Sequence, residues 1–358
     1  MPAMSDLGPR RYRIINGVAS PIETGHQWPV SRIARVIILV LCWVYAATLL
    51  GFYAAASFSS AEFWPVHLVL YGPRWIAALP AILLVPLAAW LRVRWSTLPL
   101  SVALLSFLGF WEFNVPWENL LTTSGESGQT LRVLTCNVQG RDLKIRNLAD
   151  FVEATRPDVV CLQECSLTDP LVVLGGDGWH CRSAGEFCLA SRYPILDFEE
   201  LRRPDKNYRV IAVRAQLSRS GKAIPFISVH LMTPRRGLEP LIDWRGGGID
   251  SFRKIASVQQ FESELLRRWV EGAPESIVLA GDFNLTAEHS LFRRDWSGYR
   301  DAFSWTSWGL GHTMFTRQIG LRIDHILCGP AWRPRRCDVG PDVGSAHLPV
   351  VADLVESP

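Results

Sequence analysis

A carboxylate and a carboxamide two positions apart, Asp282 and Asn284, close the apolar run at residues 276–285. Strand side chains alternate, so these two project on the same side while Phe283 turns back into the packing. An Asp held in this way can take a proton from water, and an adjacent Asn can orient that water or a phosphoryl oxygen. Gly, Asp and Asn also form ordinary turns, so the motif alone leaves both readings open.

Other apolar runs end in the same manner. Asn137 lies at the end of 132–138, Glu164 follows 158–163, His230 sits near the end of 224–231, and Asp324 and His325 lie within 321–328. His347 precedes the closing run at 350–354. Any one of these fits a buried polar group satisfied by hydrogen bonds. Asn137, Glu164, His230, Asp282, Asn284, Asp324 and His347 together point instead to one polar pocket.

The elements that must position them begin as strand, amphipathic helix (143–155) and strand, divided by Arg156 and Pro157. Further strands are predicted at 187–190 and 209–217, a long helix at 250–271 with Phe252, Ile255, Val258, Leu265, Leu266 and Trp269 on one face, and a helix near 288–294. Strands outnumber helices and many are apolar on both faces. This predicts an α+β fold, a four-layer sandwich of two packed mixed β-sheets flanked by helices.

The N-terminal third differs in composition. Residues 1–121 hold 8 of the 37 Lys and Arg and 5 of the 34 Asp and Glu, leaving 29 of each for residues 122–358. That neutrality argues weakly against a domain binding nucleic acid chiefly through phosphates, without excluding a nuclease. Residues 33–58 form an acid-free apolar run long enough to cross a bilayer, which needs about 20 residues. Two further runs, 75–91 with Pro80 and Pro86 inside it and 98–117 with Glu112 near its end, predict about three spans within residues 33–121. The first run starts too late and is too long for a cleaved signal peptide, so it reads as a retained anchor in an inner or plasma membrane.

Arg10, Arg11, Arg13, Arg32 and Arg35 precede the first span, and Arg92 and Arg94 separate the second and third. A cytoplasmic tail over 1–32 follows, and with three spans the C-terminal domain lies outside the cytoplasm; with two it would lie inside. Trp64, Trp75, Trp90, Trp95, Trp111 and Trp117 near the span ends favour three. Residues 122–130 have the small, polar composition of a linker, and 131–358 form the soluble domain. Among the cysteines, Cys181 and Cys188 are the pair placed for a local bridge.

Residues 131–355 resemble the endonuclease/exonuclease/phosphatase superfamily. The resemblance rests on ordered segments: Thr135-Cys136-Asn137-Val138, Leu162-Gln163-Glu164, Ser191-Arg192-Tyr193-Pro194-Ile195, Ser228-Val229-His230-Leu231, Gly281-Asp282-Phe283-Asn284, Arg322-Ile323-Asp324-His325-Ile326 and Ser345-Ala346-His347-Leu348-Pro349-Val350. It implies a divalent-metal-dependent phosphoester hydrolase, a phosphodiesterase, nuclease or phosphatase. Glu164 and Asn137 would hold Mg²⁺, with Mn²⁺ as second choice, because Mg²⁺ takes few protein oxygens and keeps its waters. Asp282 would be the base, Asn284 its orienting partner, and His347, paired with Asp324, and His230 the groups that stabilise the phosphate.

One position departs from the pattern. The superfamily usually carries Asp directly before the last histidine, where this chain has Ala346, with Asp342 nearby in sequence. The alternative function is therefore a catalytically silent, membrane-tethered binding or scaffold module retaining the fold. Arg235 and Arg236, in a predicted loop just after His230, are candidates to clamp a phosphate. The implied partners are a lipid bilayer, through the N-terminal helices, and a phosphoester substrate of phospholipid head-group or nucleic-acid type.

Overall fold

The computed structural model describes residues 12–15, 18–21, 29–58, 63–110, 113–117, 128–139, 144–166, 171–174, 178–204, 208–243, 246–316 and 319–357. The predicted tail over 1–32 and linker over 122–130 lie largely outside these residues.

The N-terminal region holds α1 (Pro29–Phe58), α2 (Trp64–Leu70), α3 (Leu79–Trp90) and α4 (Thr97–Phe110). Within α1, Arg32–Phe58 is long and apolar enough to cross a membrane. The segments Trp64–Leu70 and Arg74–Trp90 qualify only as a pair, bent by 93° at the break. α4 has 14 residues, and at 1.5 Å per residue it spans about 21 Å against a hydrocarbon core of about 30 Å. Cys42, Ala46 and Leu49 of α1 pack on Ala88 of α3 and Ala103 and Phe107 of α4. Ile33, Val36, Ile37, Ile82, Leu83 and Leu105 leave a broad apolar surface exposed.

The C-terminal part is a sandwich of two six-stranded mixed sheets. Its strands in chain order are β1 (Thr130–Asn137), β2 (Val159–Gln163), β3 (His180–Ala184), β4 (Phe187–Ser191), β5 (Ile195–Arg202) and β6 (Val210–Arg219), followed by β7 (Lys222–His230), β8 (Val278–Asp282), β9 (Arg300–Asp301), β10 (Asp324–Cys328), β11 (Trp332–Val339) and β12 (Val350–Glu356). One sheet runs β11-β12-β1-β2-β4-β3 and the other β9-β10-β8-β7-β6-β5. Each has one parallel pair at its centre, β1 with β2 and β7 with β8. The C-terminal ends of those four strands meet at one edge of the sandwich.

Between the sheets Leu131, Val133, Cys161, Leu189, Phe226, Ala280 and Ile326 form a continuous apolar core. Outside, α5 (Ile145–Thr155) covers the first sheet through Leu148 and Val152. On the second sheet, α7 (Gly248–Trp269) and α8 (Ser290–Trp296) pack Leu266, Leu291, Phe292 and Trp296 on Ile227, Leu279 and Leu327. α7 carries Asp250 in its first turn and Arg267 and Arg268 in its last, which suits the helix dipole. α5 stops at Arg156, whose φ of 48° is left-handed, before Pro157.

The predicted strand at 321–328 is divided. Gly320–Leu321 pairs with Met314–Phe315 in a small separate ribbon, and only Asp324–Cys328 joins the second sheet. Arg322 between them turns inward to pair with Asp301. The segment after His230, predicted as a loop, forms α6 (Arg235–Ile242), packed through Leu238 on Phe252 and Ala256 of α7. Cys181 and Cys188 are not joined by a disulfide: in the β3–β4 ladder they face Ala190 and Ser183 respectively, so the expected bridge does not form.

Candidate active site

Strand register does the first part of the work. Asp282, the last residue of β8, pairs across the second sheet with His230 of β7 on one side and Asp324 of β10 on the other. The three lie in one row on adjacent strands, so their side chains share a face. Asn137 enters from the facing sheet, its Nδ2 donating to Asp282 Oδ2 at 3.0 Å and to Glu164 Oε1 at 3.0 Å. Its own Oδ1 accepts from the Gln139 backbone N–H at 3.2 Å.

Asp282 is buried and closely held. Its Oδ1 accepts from the Asn284 backbone N–H at 2.8 Å, and its Oδ2 accepts from Asn284 Nδ2 at 3.1 Å. Asn284 adopts a left-handed φ of 52°, a conformation that Asn tolerates better than most residues. Its Nδ2 also donates to the Leu231 carbonyl at 2.9 Å. Burial and the Asp324 charge push the Asp282 carboxyl up to about 7, against the lowering effect of His347, Asn137 and Asn284.

His347 lies in the loop before β12, bridged to Met314. Ser345 Oγ fixes that loop by donating to the Asn137 carbonyl at 2.7 Å and accepting from the His347 N–H at 3.1 Å. His347 Nδ1 lies 2.9 Å from Asp324 Oδ2, and its Nε2 is 3.9 Å from Asp282 Oδ2. Burial alone would lower this imidazole, but the Asp324 and Asp282 carboxylates outweigh it and hold it up to about 9. His230 behaves oppositely: burial, with Arg209 and His347 adding, holds it well below its usual value. Its Nε2 stands 3.5 Å from Glu164 Oε1 and 3.8 Å from Asp282 Oδ2.

Two groupings have the chemistry for a divalent ion. Asp282, Asp324 and His347 each offer a ligand atom, all within 4.8 Å of one another, and Asp324 Oδ1 is buried without a hydrogen-bond partner. Glu164, just past the end of β2 with a side chain 39% exposed, offers a carboxylate to an ion that retains water.

The structure therefore brings Asn137, Glu164, His230, Asp282, Asn284, Asp324 and His347 together at one sheet edge. Arg235 and Arg236 do not join them at hydrogen-bonding distance: both are exposed in the first turn of α6, where Arg235 Nε bonds Glu239 Oε1 at 2.7 Å. Asp342 does not fill the place of the carboxylate absent at Ala346. It is exposed, bonding Lys144 Nζ at 2.8 Å and capping the Gly344 N–H at 2.7 Å.

Thr313 is a member of the site that sequence reasoning misses. Its hydroxyl donates to Asp324 Oδ2 at 2.6 Å and accepts from the backbone N–H groups of Ile323 and Asp324 at 3.2 and 3.1 Å. It comes from a stretch without apolar periodicity, and nothing in its immediate sequence marks it.

A family model described as the endonuclease/exonuclease/phosphatase family matches residues 134–347, and the chain belongs to that family. Solved structures share the fold. One is the 3′ phosphatase NExo from Neisseria, bound to product DNA hairpin, with TM-score 0.50 and 21% identity, covering 62% of this chain and 98% of that one. Another is an endonuclease/exonuclease/phosphatase family protein from Bacteroides thetaiotaomicron, with TM-score 0.50 and 16% identity, covering 65% of this chain and 100% of that one. No curated protein matches the sequence.

Proposed function

We propose that the chain is a membrane-anchored, divalent-metal-dependent phosphoester hydrolase in which Asp282 activates the attacking water. The observation that carries this reading is the setting of Asp282: a buried carboxyl raised to about 7 between two imidazoles, with His347 Nε2 at 3.9 Å and His230 Nε2 at 3.8 Å. A base of that strength suits proton transfer near neutral pH. Asn137 and Asn284 donate to it and fix its orientation.

His347, kept cationic beside Asp324, has its Nε2 left to donate to a phosphoryl oxygen. His230 supplies a second donor, to phosphate or to the leaving oxygen. Glu164, with Asn137 beside it, would hold Mg²⁺ or Mn²⁺; when bound, the ion neutralises charge on the phosphoryl oxygens. The partly exposed Glu164 carboxylate suits that role better than the Asp324–His347 pair, whose mutual bond an ion would have to displace.

Membrane anchoring is supported by the length and apolarity of Arg32–Phe58 and by the exposed apolar surface of α1, α3 and α4. The catalytic domain would then face away from the cytoplasm if three segments span. A reporter active only outside the cytoplasm, fused after Leu121, distinguishes three spans from two by its activity or silence.

The catalytic experiment uses the full chain in detergent with and without Mg²⁺, beside Asp282→Ala. A panel of DNA carrying 3′ phosphates, abasic DNA, RNA, phospholipid head-group diesters and inositol phosphates covers the substrate classes. Hydrolysis that needs both Mg²⁺ and Asp282 is expected for at least one of them. Equal rates in every sample would favour the silent module.

A further inference from the structure

We propose that Tyr71, in the break after α2, is a positioning residue that acts on the catalytic Asp282–Asn284 pair through the Asn284 carbonyl. The inference rests on the reading of Asp282 as the base. Tyr71 Oη donates to the Asn284 carbonyl at 3.0 Å, although 213 positions separate the two residues. Gln259 Nε2 of α7 donates to the same oxygen at 2.9 Å and to the Met232 carbonyl at 2.9 Å. Asn284 is held in its left-handed φ of 52° by these donors outside, and inside by its bonds to Asp282 and Leu231. Backbone in that region persists where its surroundings over-determine it.

The Tyr71 contact belongs to a larger docking. Trp64, Leu68 and Tyr71 pack on Leu238, Phe252 and Ala256 of α6 and α7. Arg74 pairs with Glu288 at 3.7 Å, and Arg293 Nη1 donates to Ser57 Oγ at 2.7 Å. His289 Nε2 and His67 Nε2 lie 2.7 Å apart. The proton positions of that pair follow from their other partners. His289 Nδ1 accepts from the Leu291 N–H at 3.1 Å, so its proton is on Nε2. It therefore donates to His67, whose own proton sits on Nδ1 and points at the Phe63 carbonyl 3.3 Å away.

These polar contacts all fall on residues 284–293, the chain that leaves the catalytic strand. The N-terminal helices thus grip the segment that carries Asn284, and Tyr71 is the contact nearest the reacting groups. A displacement well below an ångström there changes where Asn284 and Asp282 stand relative to a bound phosphate, and catalysis is steeply sensitive to such placement.

The test is Tyr71→Phe in the full chain in detergent. It keeps the ring packed on the Leu238, Phe252 and Ala256 cluster and removes the Oη donor to the Asn284 carbonyl. Tyr45→Phe is the control, since Tyr45 Oη donates to the Ala77 carbonyl at 2.8 Å within the N-terminal region and touches nothing in the site. With whichever phosphoester of the panel proves to be turned over, Tyr71→Phe should lower kcat about tenfold with KM within about twofold, while Tyr45→Phe leaves both unchanged. Amide hydrogen exchange should quicken about tenfold over residues 283–286 in Tyr71→Phe alone.

Unchanged kcat in Tyr71→Phe, with Asp282→Ala inactive, would overturn the positioning role and leave the hydrolase reading standing. If wild type is no faster than Asp282→Ala on any substrate, the hydrolase reading fails. Amide exchange then decides the positioning role alone: no change over 283–286 overturns it.

Discussion

His347 Nδ1 and Asp324 Oδ2 stand 2.9 Å apart, both buried, and the same carboxylate oxygen accepts the Thr313 hydroxyl at 2.6 Å. Asp324 is thus oriented from one side by Thr313 and spends its charge on the imidazole at the other. Replacing it by Asn removes that charge while retaining the shape. Asp324→Asn should reduce kcat/KM by about 10² to 10⁴, the range associated with a group that keeps an acid–base histidine in its working state. Thr313→Val, which leaves the charge but loosens its orientation, should cost about tenfold. Steady-state kinetics on the responsive phosphoester, with circular dichroism to verify folding, checks both. Equal losses in the two variants would mean that the charge is not what matters.

Much of this site is legible because its residues sit at the ends of apolar runs, where alternation reveals which side chain leaves the core. Asp282 and His230 can be named in this way, whereas Asp324, inside the predicted run at 321–328, is a strand end only because that run divides; the common row of the three depends on the β7–β8 and β8–β10 registers. The bridge from Asn137 to Asp282 joins two sheets across 145 positions and has no local signal. Strands β5 and β11 are hidden for a different reason. The sequence Ile-Leu-Asp-Phe-Glu-Glu-Leu-Arg alternates poorly on an edge, and Trp-Arg-Pro-Arg-Arg-Cys-Asp-Val carries a Pro and three Arg that edge strands tolerate. Arg235 and Arg236 have the right chemistry and follow His230 closely, but helix formation turns them to solvent.

Ala346 is exposed, directly before His347, and its N–H donates to Gln139 Oε1 at 3.3 Å. A carboxylate at this position would add an anionic oxygen at the mouth of the site. Ala346→Asp should therefore tighten Mg²⁺ about tenfold or more, read as a lower half-saturating concentration in a metal titration of activity. Asp342→Asn, which removes the charge paired with exposed Lys144 and keeps an amide oxygen to cap the Gly344 N–H, should leave that concentration unchanged. A shift in the Asp342 variant equal to that in the Ala346 variant would refute this assignment.

Gly281 has a φ of 147°, and a Cβ there would lie 2.1 Å from the Val229 carbonyl oxygen and 2.8 Å from its nitrogen. Both obstacles are backbone in the paired strand, so relief requires separating β7 from β8. The same pairing sets Asp282 opposite His230. Gly281→Ala should destabilise the fold by about 3 kcal/mol or more and also reduce activity per folded molecule. Thermal unfolding together with active-site-normalised kinetics tests the two parts, and a variant with wild-type melting behaviour would contradict the packing argument.

Acid should weaken the fold through His289 once the pH falls below the ordinary histidine range. Burial, with His67 adding, holds this imidazole well below its usual value, and both its nitrogens are committed in the neutral form. Below about pH 6.5 the unfolded chain takes up a proton at this position while the folded chain does not, so stability falls as pH falls, by about 1.4 kcal/mol per pH unit. Asp301 acts in the same direction at lower pH. Burial alone would raise it, but the Arg322 guanidinium and His325 outweigh that and hold it well below the usual carboxylate range. Its contribution is present above about pH 4 and is lost as pH falls further. His230, also depressed, adds to the wild-type slope, and Asp282, raised to about 7, opposes it, so the informative quantity is a difference. Between pH 6.5 and 5.5, denaturant unfolding of the full chain in detergent should show a shallower loss of stability in His289→Gln than in wild type, by about 1 kcal/mol over that pH unit. Identical slopes would show that His289 takes up its proton as readily folded as unfolded, and the neutral His67–His289 relay would have to be abandoned.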